Sequence, residues 1–177
     1  MQCLRRSGYS GATLVRIAKE AAVTTGALQH HFEGRRDLMQ SVVREAYERL
    51  VSDVAGQLPS SGSLRERVDG AIDAMVAGYG TASALGAFEV VLALRDDGEF
   101  SSQHLGIAAP YAAELDRQWL ELFADSNVSE ASKRIARQVA RTCILGLLTS
   151  AASGLAVVDQ HTVGGLKESV FHLLSPN

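Results

Sequence analysis

The chain has 177 residues, 46% of them hydrophobic and 21% charged, with a formal net charge of −3. That length suits one domain, or one with a small appendage, and the balance excludes a disordered or low-complexity chain. Two cysteines, Cys3 and Cys143, are too few for a disulfide framework or a zinc cage, and the three prolines (Pro59, Pro110, Pro176) leave a composition that favours helices.

In chain order, residues 14–21 predict a short helix with Leu14, Ile17, Ala18 and Ala21 on one face. Residues 22–26 interrupt it, and Thr24 is placed to cap a second short helix ending near Phe32. A long amphipathic helix follows over 35–58, with Leu38, Val42, Ala46, Leu50 and Val54 along one stripe. Residues 59–63 (Pro-Ser-Ser-Gly-Ser) are the clearest loop. Further helices are predicted near 63–80, 84–96, 103–124, 129–155 and 161–174, with Pro110 either kinking its helix or starting its main segment. No period-two pattern or internal repeat stands out, so the expected fold class is all-α. No apolar signal region opens the sequence, and the longest uncharged stretch, Thr142 to Val158, is shorter than the ~20 apolar residues of a membrane span. The expectation is a cytoplasmic protein with unpaired cysteines and no membrane partner.

The acidic average conceals a division. Residues 1–50 hold eight basic and five acidic side chains, whereas 51–177 hold nine basic and fifteen acidic, so a +3 head precedes a −6 body. Such a head suits a polyanion. Two short helices about a tight turn fit a helix-turn-helix, whose second helix enters the DNA major groove. Ala18 is small enough for close helix approach, while Val23 and Leu28 can pin the second helix onto the first. Thr24 and Thr25 offer hydroxyls at a helix start, where phosphate is favoured. Gly26 and Ala27 let the backbone near the base edges. Gln29 can read adenine, and His30 can bond a phosphate or a guanine. Arg35 and Arg36 open the long helix, unfavourably for its dipole but well placed to hold phosphate.

The run GYSGATLVRIAKEAAVTTGALQHHFEGRRDLM resembles the DNA-binding domain of the TetR family of bacterial transcriptional regulators. Gly8, Tyr9, Thr13, Ile17, Ala18, Ala21, Val23, Thr24, Gly26, Leu28, Phe32, Arg35 and Leu38 fall at the matching places. The resemblance implies a helix-turn-helix domain over 1–48, its first helix incomplete, and an effector-binding and dimerisation domain over 49–177. It also implies a homodimer on a pseudo-palindromic double-stranded operator, repressing until a small-molecule effector releases it. Thr13, Thr24, His31, Arg35 and Arg36 are then expected on phosphates, with Thr25, Gly26, Ala27, Gln29 and His30 near the bases. The sequence departs from the pattern at three places. Ala22 stands where the turn usually has glycine, predicting a non-glycine residue at positive φ. Gln29 and His31 replace tyrosines, and Arg16 replaces an acidic residue, adding a phosphate-seeking charge.

Competing chemistry is weaker. Adjacent His30 and His31 point about 100° apart on a helix and have no third ligand nearby, so no metal is expected. Cys143 lies in an apolar run and reads as a small core residue, so no catalytic residue, cofactor or enzyme activity is expected. Asp96 and Asp97 read as a solvated turn. In the body, Ile135, Val139, Thr142, Gly146, Thr149 and Ser153 share one helical stripe, and Val163, Leu166, Val170 and Leu173 another. Such stripes either build a four-helix dimer interface or close the monomer core. Met75, Tyr79, Phe88, Arg95, His104, Tyr111, Trp119 and Phe123 are candidates for an effector pocket, with ordinary core as the rival. The alternative function is a dimeric small-molecule-binding protein of the same fold without DNA binding.

Overall fold

The computed structural model describes residues 2–175, and within them every regular element is an α-helix, as composition and periodicity predict. In chain order these are α1 (Gln2–Gly11), α2 (Leu14–Glu20), α3 (Thr25–His31), α4 (Arg35–Ala55), α5 (Leu64–Tyr79), α6 (Ala82–Ala93), α7 (Gly98–Leu122), α8 (Glu130–Ala152) and α9 (Gln160–Leu174). Among the described residues no single helix is long and apolar enough to cross a membrane.

Caps set most boundaries. Thr13, Thr24, Ser63, Thr81, Ser129 and Asp159 each accept a hydrogen bond from the backbone N–H three residues on, satisfying donors a helix start would otherwise leave unpaired. Ser63 and Glu66 complete a reciprocal capping box. Helix α7 starts at Gly98 rather than near 103 because Asp97 Oδ1 accepts the Phe100 N–H at 3.0 Å. Pro110 lies inside α7 and does not start it. Helix α1, which periodicity does not predict and the resemblance alone implies as an incomplete first helix, breaks at Gly8 (φ 61°, ψ −179°), a conformation that needs glycine.

The chain divides into two compact units. The first, the head, takes the residues up to Arg49 together with Thr81–Tyr111; the second, the body, takes Leu50–Gly80 and the residues from Ala112 onwards. The first change of unit falls between Arg49 and Leu50. Residues 81–111, expected in the C-terminal segment, pack instead with the head. Its core joins Cys3 and Leu4 of α1, Met39, Val43 and Ala46 of α4, Ala87, Val90 and Leu94 of α6, and Phe100 of α7. On α4 the fully buried line runs through Met39, Val43 and Ala46, with Val42 only half-buried beside it.

In the body, α5 packs on α8 and α9, and α8 on α9. Val68, Ile72, Met75 and Tyr79 of α5 meet Trp119 and Phe123 of α7, Ala136, Ala140 and Ile144 of α8, and Leu166, Val170 and Leu174 of α9. Leu50 and Val54 bring the end of α4 into this core. Gly78 permits their approach, since a Cβ there would stand 2.8 Å from Val54 Cγ2.

Candidate DNA interface and ligand-binding body

The turn between α2 and α3 is a Schellman motif. The Ala22 N–H donates to Lys19 O at 3.2 Å and the Val23 N–H to Ala18 O at 3.0 Å, a pattern that needs a left-handed residue between them. That residue is Ala22, at φ 54°, the one non-glycine residue at positive φ among those described, as predicted. Ala18, 2% exposed, lets the helices approach. Val23 does not act as the expected pin: it stays 45% exposed, because the turn points it outward. Leu28 is half-buried.

Helix α3 buries none of its seven residues. Gly26, Ala27, Gln29, His30 and His31 are exposed and Thr25 is half-buried. Thr24 Oγ1 accepts the Ala27 N–H at 3.0 Å, and Thr13 Oγ1 the Arg16 N–H at 3.3 Å. Each hydroxyl keeps its own hydrogen to donate outward. The His30 and His31 rings meet edge-on with centroids 5.5 Å apart. Among the described residues no group of three His, Cys, Asp or Glu side chains could hold a metal ion.

The arginines are less free than the sequence suggests. Arg35 is half-buried; its guanidinium lies 4.0 Å from the Tyr9 ring centroid and donates to Tyr9 O. It thus ties the start of α4 to α1 instead of facing outward. Arg36 pairs with Asp97 at 3.0 Å and with Glu99, so its charge is offset within the head. Arg16 donates to Ser7 Oγ at 2.6 Å and to Gly11 O at 3.3 Å, stapling α2 to α1. Asp97 is no bare solvated residue: the Phe100 N–H and then Arg36 hold its carboxyl below the usual range.

Sequence reading misses Glu89. Its Oε1 accepts the Tyr9 N–H at 2.8 Å, the donor freed by the Gly8 break. The one signal for it is a lone acidic residue in the otherwise uncharged α6.

The eight candidate pocket residues do not form one group. Met75, Tyr79, Trp119 and Phe123 lie in the body core. Phe88, Arg95, His104 and Tyr111 belong to the head: Arg95 is exposed, while His104 stacks on Phe100 at 5.6 Å and lies 3.4 Å from the Tyr47 hydroxyl. Tyr111 donates to Glu48 at 2.9 Å. Burial pushes the His104 imidazole below its usual pKa.

The two candidate interface stripes separate. On α8, Ile135 (56% exposed), Thr142, Gly146 and Ser153 face solvent, and Val139 and Thr149 are half-buried. On α9, Leu166 and Val170 are buried in the chain's own core with Val163 packed against it, so this stripe closes the body, and Leu173 alone is exposed. Cys143 is exposed rather than a core residue.

Residues 1–42 match the family of bacterial regulatory proteins, tetR family. The HTH-type transcriptional regulator BetI of Vibrio parahaemolyticus is 32% identical over 81 residues, 45% of this chain and 41% of that protein. BetI of Escherichia coli is 27% identical over 75 residues, 41% and 38% of the two chains. The matched stretch thus spans about two fifths of the length of these curated relatives. A solved bacterial regulatory protein of the tetR family from Rhodococcus RHA1 shares the fold along 99% of this chain and 93% of its own, with TM-score 0.71 and 14% identity. The matched head residues include those that build the capped, exposed α3; in sequence this stretch is similar to bacterial regulatory proteins of the tetR family, and the rest of the chain is similar to them in fold.

Proposed function

We propose that the chain acts as a dimeric, ligand-responsive DNA-binding transcriptional regulator that represses until a small molecule releases it. The observation that carries this reading is α3: a short helix capped by Thr24, with no buried residue, holding Gly26, Ala27, Gln29 and His30 towards solvent. Gln29 and His30 read base edges there, and the hydroxyls of Thr13 and Thr24 donate to phosphates. Arg36 reaches phosphate by exchanging Asp97 and Glu99 for it, whereas Arg35 positions α4. The exposed α8 stripe, with Ile135 and Leu173, supports pairing with a second copy, which sets two α3 helices on successive major grooves about 34 Å apart. An effector lowers operator affinity by binding more tightly to the conformer that fits DNA less well.

The test is fluorescence anisotropy with DNA fragments flanking the protein's own gene, alongside light scattering for mass. Specific binding is expected from a dimer, weakening steeply with salt. Gln29→Ala should change the preferred base at particular operator positions, and Arg36→Gln should weaken all operators alike. Equal affinity for every fragment and for random DNA refutes the reading.

A further inference from the structure

The first turns of α4 and α7 meet as opposite charges. Arg36 Nε donates to Asp97 Oδ2 at 3.1 Å, Nη2 lies 3.0 Å from the same oxygen, and Nη1 pairs with Glu99 Oε2. All three nitrogens of the guanidinium are thus committed to two carboxylates. Asp97 divides its oxygens: Oδ1 accepts the Phe100 N–H at 3.0 Å and caps α7, which leaves Oδ2 to the arginine. Beside the pair opens a groove of about 410 Å³, lined by the carboxylates of Glu33, Asp37 and Glu99 with Arg36 as its one cationic member. Arg35 is already held by Tyr9, so Arg36 is the guanidinium at the start of α4 that remains for phosphate, and it stands among acids.

The contact is built rather than a chance rotamer. Along the same two helices Gln40 donates to Gln103, the Tyr47 hydroxyl lies 3.4 Å from His104 Nε2, and Tyr111 donates to Glu48 at 2.9 Å. This polar row fixes α4 and α7 in register and sets both carboxylates opposite Arg36. The Arg36 side chain is still 44% exposed, against 26% for Asp97 and 61% for Glu99. Solvent reaches the pair, and exposed pairs of this kind hold weakly. Carboxylate and phosphate fill the same planar fork of a guanidinium, so one excludes the other.

We propose that Asp97 and Glu99 form an autoinhibitory contact: they occupy the fork with which Arg36 grips a phosphate, and DNA must displace them to gain that grip. The inference rests on the DNA-binding reading above and deepens it. Phosphate contacts carry no base information, so the contact lowers affinity for operator and random DNA by the same factor. The weakness of exposed ion pairs sets that factor at about fivefold.

Fluorescence anisotropy of the full chain with operator and random fragments tests it. Glu99→Gln removes one carboxylate charge, and Asp97→Asn removes the other while its remaining side-chain oxygen still caps α7. Each should bind both kinds of DNA about fivefold more tightly than the parent. A gain in affinity is not what a damaged fold produces. In an Arg36→Gln background Glu99→Gln should change nothing, because the group it releases is gone. Glu20→Gln, which removes the same charge from an exposed position on α2, controls for net charge. Unchanged affinity in Glu99→Gln and Asp97→Asn, an equal gain in the Arg36→Gln background, an equal gain from Glu20→Gln, or a gain confined to one DNA sequence each overturns the contact and leaves the DNA reading standing. No DNA binding by the parent or by either variant overturns both.

Discussion

Replacing Ala22 by glycine should stabilise the head. Ala22 holds φ 54° so that the Ala22 and Val23 N–H groups can reach Lys19 O and Ala18 O. A side chain bearing Cβ there carries about 1–2 kcal/mol of steric cost, offset in glycine by about 0.4–1 kcal/mol of extra freedom in the unfolded chain. The net gain is about 0.5–1 kcal/mol, worth roughly 1–4 °C in Tm for a chain of this size. Ala22 is exposed, so no packing is lost with its methyl group. Urea unfolding followed by far-UV circular dichroism, with Ala22→Val as the opposite perturbation, measures it. Valine adds a branch at Cβ in the same conformation and should lower the midpoint. A glycine variant no more stable than the parent, together with a valine variant equally stable, would mean that the turn carries no strain.

Three further outcomes follow from the packing and the titrating groups. Gly78→Ala would push Cβ to 2.8 Å from Val54 Cγ2 and 3.1 Å from Leu50 Cδ1, so a loss of about 1–3 kcal/mol of stability is expected, read as a lower urea midpoint. Arg35→Met removes the contact with the Tyr9 ring and the hydrogen bond to Tyr9 O; it should cost about 1–2 kcal/mol in urea unfolding with no DNA present, whereas replacing an outward, phosphate-only arginine would cost nothing in the same measurement. Burial depresses the His104 pKa, so the folded head prefers the neutral ring. Its contribution is fully present above the usual histidine value, about 6.5, and is lost as pH falls from there through the folded pKa. Hydrogen exchange of head amides between pH 5 and pH 8 should show that slope in the parent and a flatter one in His104→Gln.

Much of this was legible in the sequence where the signal is local. The two short helices and the positive φ of Ala22 follow from residues within a few positions of one another. Helix starts were less well placed, because apolar spacing marks a buried face and says little about where its first turn begins. Asp97 and the Ser63–Glu66 pair carried that information as caps. The long-range pairings were not legible. Arg35 finds Tyr9, and Arg36 finds Asp97 and Glu99, across chain separations that no periodicity encodes. For the same reason charge alone suggested phosphate partners for residues that the head itself partly occupies. The α8 and α9 stripes share one pattern, and only packing separates the face closed within the body from the face left exposed.

The break at Gly8 bears on how the head can be moved into another chain. The N–H that the break frees is taken by Glu89, and the apolar face of α1 and α4 is covered by Ala87, Val90, Leu94 and Phe100. A head cut after residue 48 would lose that cover and that acceptor together. Chimeras that graft this head onto another body therefore need two inserts, the residues up to 49 and the stretch 81–111. During synthesis, too, the head cannot finish folding until α6 and the start of α7 have been made, so the support under α1 and α4 is completed only by residues far along the chain from them.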